Sequence, residues 1–139
     1  MADFIYNKFA EYMGDGTIDM DNDTFKIILL DDGHTPDATD TVYANVSGDE
    51  LATASGYTAG GATLASVTWT EAAGTVTFAA ANPAWTASTF TARYAVIYSD
   101  TAASDELVCL IDFTENKSVS GGTFTIQFND SGIFTIAQS

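Results

Sequence analysis

Carboxylates spaced as metal ligands are the first candidates for chemistry in this chain. Asp19, Asp21 and Asp23 alternate along the sequence, and hard oxygen ligands at alternate positions are what a calcium loop supplies. Such a loop continues with glycine and ends with a bidentate glutamate, but the corresponding residues here are Thr24 and Leu30. Because Asn and Asp also tolerate turn backbone angles, we expect a solvated turn, with a cation site as the alternative.

Other residue types that carry catalysis are scarce. His34 is the only histidine, whereas a catalytic triad or a zinc site needs further partners, so we expect it to be solvated. The glycines from Gly56 to Gly61 lack the lysine and the following helix of a phosphate-cradling loop. With 19 acidic residues the chain singles out no carboxylate pair for sugar hydrolysis. The sequence predicts no enzyme, no catalytic residue, no metal and no cofactor; a polysaccharide depolymerase is the enzymatic alternative.

One charge lies inside an apolar segment. Arg93 is the only arginine of the chain and belongs to the strand-like run 90–98. A buried guanidinium without a partner is costly, so it should meet a carboxylate or several carbonyls. Asp112, on the apolar run 107–113, is the candidate partner. We expect a structural ion pair, with a binding role for Arg93 as the alternative.

Four aromatic side chains are candidates for stacking on sugars. They could line a carbohydrate platform, or they could be anchors of the core or of an interface, and we favour the second reading. They are Trp69, Trp85, Tyr94 and Tyr98.

The charge balance restricts the partners of this protein. In 139 residues, 4 Lys+Arg stand against 19 Asp+Glu, which gives a net charge of −15. Such a surface repels phosphate, so we expect no nucleic acid and no anionic membrane as partner. The single cysteine, Cys109, allows no internal disulfide, and we expect a buried thiol. No signal-peptide pattern is visible at the N-terminus, so synthesis in a cytoplasm is expected.

The periodicity of the sequence predicts a mainly β domain over residues 1–139. About eight short strands at roughly ten-residue spacing favour an antiparallel β-sandwich, including runs at 17–20, 24–30, 64–70 and 75–79. Jelly-roll-like and immunoglobulin-like strand orders both remain open, and the strand count leans to the jelly roll. A polar surface loop is expected from 34 to 46.

Two helices complete the predicted architecture. Apolar residues recur on one helical face over residues 2–13, so an N-terminal helix should pack on the sheet or act as an interface arm. Ser47 and Glu50 have the spacing of a capping box, which predicts a short helix through about Thr53.

Several motifs, taken in order, resemble small virion proteins of tailed bacteriophages. They are the N-terminal helix running into 14–19, the residues 23–26, the loop 55–61, the Trp85 segment, the strand 92–98 and the closing 132–134. The resembled proteins decorate or cement the capsid as β-sandwich or jelly-roll modules. The resemblance implies a non-enzymatic protein on the capsid surface, made in the host cytoplasm, a homo-oligomer (trimer or dimer) bound to the major capsid protein. A receptor-binding or tail-tip module that recognises host glycan is the alternative.

Candidate interface residues follow from the apolar pattern and the resemblance. The N-terminal patch could face a sister subunit or the shell, and two aromatic residues further along join it as candidates. They are Phe4, Ile5, Phe9, Met13, Tyr57 and Trp85.

Overall fold

The computed structural model describes residues 3–138, and within that range eight strands form two antiparallel sheets. In spatial order, the larger sheet contains β1 (Phe4–Ile5), β7 (Leu107–Thr125), β6 (Ala84–Ser99), β2 (Phe25–Leu30) and β3 (Ala62–Thr63). The smaller sheet contains β4 (Thr68–Ala72), β5 (Thr75–Ala79) and β8 (Phe134–Ala137). The helical segments are α1 (Phe9–Gly14) and two 3-10 helices, Tyr43–Asn45 and Ser47–Asp49.

The antiparallel pair β6–β7 is the longest element of the fold. Its β-branched and aromatic residues favour extended backbone, and the two strands pair from Tyr98 and Leu107 to Ala84 and Thr125. The neighbouring strand β2 pairs with β6 only between Tyr94 and Ser99. The far half of the hairpin, residues 84–92 with 117–125, therefore extends past β2 as a two-stranded ribbon, which we call the ribbon.

The central part of the larger sheet is buried on both faces. Successive side chains of a strand point to opposite sides, so Phe25, Ile27 and Leu29 of β2 join the core between the sheets. Ile28 and Leu30 join a second apolar cluster on the other side. The ring of Phe25 meets that of Phe78 in the smaller sheet at 5.4 Å, which shows how the two sheets contact each other.

The second face is covered by residues 31–50. Val46 is fully buried there, and the ring of Tyr43 stacks on Tyr98 at 5.1 Å. His34 is buried edge-on to the ring of Tyr94, with Nδ1 2.9 Å from Oδ2 of Asp49. The expectation of a solvated histidine was therefore wrong. The segment 31–50 is polar in sequence, so its composition does not show that it covers an apolar face of the larger sheet.

The N-terminal helix is present only in its second half. Phe4 and Ile5 form β1 and pair with Leu110 and Cys109 of β7, whereas α1 begins at Phe9; residue 2 of the predicted helix lies outside the described residues. Phe4 and Ile5 belong to clusters on opposite faces of the sheet. A strand followed by a turn and a short helix produces the same apolar spacing as one continuous helix.

The predicted helix after Ser47 is a single 3-10 turn. Glu50 does not close a capping box; its carboxylate accepts hydrogen bonds from the hydroxyls of Tyr43 and Tyr57 and from the N–H of Gly60 at 2.8 Å. Burial and then the hydrogen bond to Glu50 raise the pKa of Tyr43 to about 12, and the same two causes raise the pKa of Tyr57. Both hydroxyls therefore remain donors at neutral pH and tie the glycine-rich loop to the sheet.

The strand count agrees with the sequence, but its membership differs. Residues 17–20 form a turn instead of a strand, and β1 and β3 are short strands that the sequence did not indicate. The hairpins β4–β5 and β6–β7 each join neighbours within one sheet, so the strand order differs from the jelly-roll expectation. None of the helices in the described range is long and apolar enough to cross a membrane.

A glycine at the edge of β2 gives a direct test of this packing. Gly61 has φ +85°, and a Cβ there would lie 2.1 Å from the carbonyl oxygen of Ile27. Gly61→Ala should therefore lower the free energy of unfolding by about 2 kcal/mol or more, as measured by urea denaturation. Gly48→Ala, which meets open space, should change it by less than ~0.5 kcal/mol. Equal stabilities of the two variants would contradict the loop placement.

Candidate binding surface

One edge of the larger sheet is open over most of its length. The short strand β1 covers β7 only at Leu110 and Cys109, with one more hydrogen bond from the N–H of Tyr6 to the carbonyl of Val108 at 3.1 Å. Oδ1 of Asp3 then accepts from the N–H of Asp112 at 2.8 Å. Past Asp112, no strand within residues 3–138 pairs with the outer edge of β7.

An apolar groove lies next to the open edge, where β1 pairs with β7, between these two strands on one side and β8 on the other. Its volume is about 350 Å³. We call it the edge groove; its half-buried apolar lining is Ile5, Ile111, Ile133 and Phe134, and Phe4, whose ring packs against Tyr6 on the other face of the sheet, borders it. The groove has the size and lining of a site for apolar side chains of another molecule.

The polar groups at the edge groove do not form a catalytic set. Asp3 is the one charged residue of its lining, and Cys109 is the one thiol. Burial, and then the nearby Asp3 carboxylate, raise the pKa of Cys109. The thiol therefore stays protonated, which is the inert state of a buried cysteine.

A second depression of about 390 Å³ continues along β7 beside the ribbon. We call it the ribbon groove; its apolar lining is Ile111, Phe113, Val119, Phe124 and Ile126. Beneath it the aromatic rings pack in series: Phe113 lies 6.1 Å from Phe124, which lies 5.1 Å from Phe90. Both grooves share Ile111, so the apolar surface is continuous along the open edge.

A bulge supported by an ion pair separates the sheet from the ribbon. Ala92 faces Lys117 and Tyr94 faces Asp112, so Arg93 alone on β6 stands opposite residues 113–116 on β7. The guanidinium of Arg93 donates to Oδ1 of Asp112, the partner that the sequence suggested, and lies 4.7 Å from the centre of the Tyr94 ring.

The same carboxylate fixes the backbone of the bulge. Oδ1 of Asp112 also accepts from the N–H of Thr114 at 2.7 Å, and Thr114 has φ +68°. Burial opposes the charged form, but the hydrogen bonds from Thr114 and Arg93 outweigh it and lower the pKa of Asp112. An ionised carboxylate therefore holds the strand where the ribbon leaves the sheet.

Charge is distributed unevenly along β6. The stretches 72–92 and 118–129, which contain all of the ribbon except Lys117, have no charged residue. Acidic residues crowd instead into 15–23 and 100–106, which meet at the C-terminal end of β6, where Oγ of Ser99 donates to Oδ2 of Asp23 at 2.7 Å. One end of the hairpin is thus acidic and the other is neutral.

The acidic turn satisfies its carboxylates internally. Oδ1 of Asp19 accepts from the N–H of Asp21 at 3.0 Å and Oδ2 from the side chain of Asn22 at 2.9 Å. The hydrogen bond from Asn22 is the largest cause that lowers the pKa of Asp19. In the part of the chain that the structure describes, no group of three or more His, Cys, Asp or Glu side chains is arranged to hold a metal ion.

The interface candidates of the sequence separate into two groups. Ile5 lines the edge groove and Phe4 borders it, and Met13 is half-buried in a depression beside α1. The other three are buried within the chain, at 1%, 2% and 6% exposure, and are unavailable to a partner in this conformation; they are Phe9, Tyr57 and Trp85.

The four aromatic residues of the carbohydrate hypothesis do not share a surface. Trp85 is buried in the core between the sheets, whereas Tyr94 and Tyr98 are buried on the opposite face of the larger sheet. Trp69 is half-buried, with its ring 6.4 Å from that of Phe134. They are packing residues of two separate cores.

Part of the binding surface had no signal in the sequence. Ile111, Phe113 and Ile133 resemble core residues by type and spacing, but all three are half-exposed, and Ile111 and Phe113 lie on the strand whose outer edge is largely open. An edge strand and a central strand can share one apolar pattern, so their spatial order is needed to tell them apart.

Substitution of Arg93 tests the support of the bulge. The side chain of Asp112 is fully buried and that of Arg93 is 19% exposed, so Arg93→Ala removes one partner of a buried carboxylate and should lower the free energy of unfolding by ~3 kcal/mol. Arg93→Met should cost less, because its side chain retains most of the packing. Chemical denaturation measures the free energy of unfolding of both variants. If neither differs from the wild type, the ion pair does not contribute to stability.

The pH dependence of stability tests the ionised state of Asp112. Its folded pKa lies below the ordinary value of 3.8, so its stabilising contribution is complete above about pH 5 and is lost as the pH falls through the folded pKa. The difference in unfolding free energy between the wild type and Asp112→Asn should therefore be largest near neutral pH and shrink in acid. Asp130→Asn, at an exposed position, is the control; a difference that grows in acid would contradict the assignment.

Comparison of the chain with protein-family models, with curated proteins and with solved structures finds no match. The resemblance to phage decoration proteins therefore rests on the sequence motifs, and the role of the open edge rests on its own geometry.

Proposed function

We propose that this protein is a structural component of a tailed-phage particle, bound as a decoration or cement protein to the outside of the capsid. In this role it stabilises the shell by bridging neighbouring capsomers and transforms no substrate. The observation that carries the proposal is the edge groove, where apolar side chains are left half-exposed beside the open edge of the larger sheet. The sequence resemblance supplies the partner, the major capsid protein.

The lining of the edge groove supports binding through apolar contact. Each of its half-buried side chains would gain about 1 kcal/mol on complete burial. A cluster of a few such anchors supplies most of the binding energy of a typical protein interface. The groove lies between two hydrogen-bonded sheets, so little backbone order has to be gained on binding.

The charge supports attachment to the outer surface. A net charge of −15 is unfavourable next to packaged nucleic acid, whose phosphates would repel it. On the outside of a particle the same charge favours solubility and disfavours non-specific association. The acidic loops at the C-terminal end of β6 are therefore proposed to face solvent.

Particle binding with matched variants tests the proposal. The wild-type chain should co-sediment with purified particles at an integral ratio to the major capsid protein. Ile133→Lys places a charge in the edge groove and should weaken binding at least tenfold, whereas Thr135→Lys, at an exposed position on β8, should bind as the wild type does. Thermal melts of both variants show whether they remain folded, and Ile5→Asp provides a second change in the groove.

Two results would contradict the proposal. Absence of the protein from purified virions would remove it altogether. A small copy number confined to the tail, together with binding on a glycan array, would favour the receptor-binding alternative. Unchanged particle binding by both folded groove variants would keep the location but reject the edge groove as the contact surface.

A further inference from the structure

We infer that the outer edge of β7 in the ribbon is the pairing surface for a second copy of this chain, so that two ribbons join antiparallel across a two-fold axis. This inference goes beyond the proposed attachment to the shell, because it concerns a separate part of β7. It also assigns a location to the homo-oligomer that the sequence led us to expect.

The ribbon edge has backbone groups available for pairing. From Lys117 to Thr125, β7 pairs with β6 on one side and with no strand of residues 3–138 on the other. Native proteins protect such edges with lysine, proline, inward-pointing charges or β-bulges. Register shifts on either side of Ser88 interrupt the pairing of the ribbon, but residues 118–125 contain no charge and no proline, so no side chain of these kinds opposes strand addition at this edge.

The other open edges are less suitable. β4 has five residues and includes the charged Glu71, and β8 has only four. The β6 edge of the ribbon is met by the loop at Ser55, whose carbonyl accepts a hydrogen bond from the N–H of Thr89 at 2.9 Å. By contrast, β7 has 19 residues and its unpaired part is uncharged past Lys117. The ribbon is therefore the longest neutral edge of the fold.

The distribution of charge favours a second copy of the chain as the partner of this edge. A strongly basic partner would be attracted to the acidic loops, which lie at the other end of β6, and not to a neutral edge. Two copies that each carry −15 repel one another over most of their surfaces, and the repulsion is smallest where residues 118–129 of both copies meet. The neutral ribbon is thus the part of the surface at which two copies can approach.

The geometry of a strand edge also favours self-pairing. An antiparallel pair formed by the same strand from two molecules has two-fold symmetry, so every backbone hydrogen bond occurs twice. The pairing would place the ribbon grooves of both copies side by side. Phe113 and Val119, which are half-buried in one copy, would then be covered by the other.

Sedimentation velocity over a range of protein concentrations tests the inference. The wild type should form a dimer, and the dimer should become tighter as sodium chloride screens the long-range repulsion. Ser120→Lys makes the net charge less negative but places like charges across the paired edge, so it should weaken the dimer at least tenfold. Thr86→Lys, exposed on β6 one strand away from the edge, should dimerise as the wild type does.

A covalent readout locates the interface independently. Cys109 is buried, so an introduced surface cysteine is the one available for cross-linking. In a series of Ser118→Cys, Ser120→Cys and Thr123→Cys, at least one variant should form an intermolecular disulfide under mild oxidation, and Thr86→Cys on β6 should not. A wild type that stays monomeric at every concentration and salt level, or a dimer that Ser120→Lys leaves intact, would overturn the inference.

The failures of the two proposals can be told apart. A monomer that still binds particles and loses binding in Ile133→Lys would overturn the ribbon dimer alone. A dimer that is absent from virions would overturn the proposed function alone.

Discussion

The structure depends on one constraint: the half of the hairpin β6–β7 that lies next to its turn, opposite the ribbon, is apolar on both faces and must be buried on both. The smaller sheet covers one face with Phe78 and its neighbours. The polar segment 31–50 covers the other with Val46 and Tyr43. The smaller sheet and the segment 31–50 occupy these two faces, and only β1 pairs with the outer edge of β7, at two of its residues. The rest of that edge is left open.

The ion pair of Arg93 and Asp112 lies at the boundary between the covered and the uncovered half. On one side of it the strands are buried, and on the other they form the ribbon with small hydroxyl side chains exposed. The pair stabilises the bulge that allows the change of register. Acidic loops lie at one end of β6, and past Lys117 the ribbon at the other end is uncharged. The proposed dimer contact therefore lies on the ribbon side of this boundary, and the edge groove lies on the sheet side.

The sequence indicated the strands with strong periodicity, and it also indicated the partner of Arg93, because a single buried charge between apolar strands needs a nearby carboxylate. It did not indicate β1, since two residues are too short to establish a period. It also missed the burial of His34, which depends on a sheet face that lies distant in sequence. The sequence did not predict the edge groove for a related reason. Ile111 and Ile133 resemble core residues, and only the spatial order of the strands shows that they lie near the edge of a sheet. The sequence pattern identifies which strand faces are apolar, whereas the tertiary structure decides which of these faces and edges are buried by other segments.

The central claim is that this chain acts by presenting an open, apolar sheet edge to another protein. Amide hydrogen exchange, compared between the free chain and the chain bound to purified particles, tests it most directly. The account predicts slower exchange on binding at 3–6, 109–113 and 132–137, with no change in the acidic loops 15–23 and 100–106. Protection confined to those acidic loops, with unchanged exchange along the edge of β7 and β8, would contradict it.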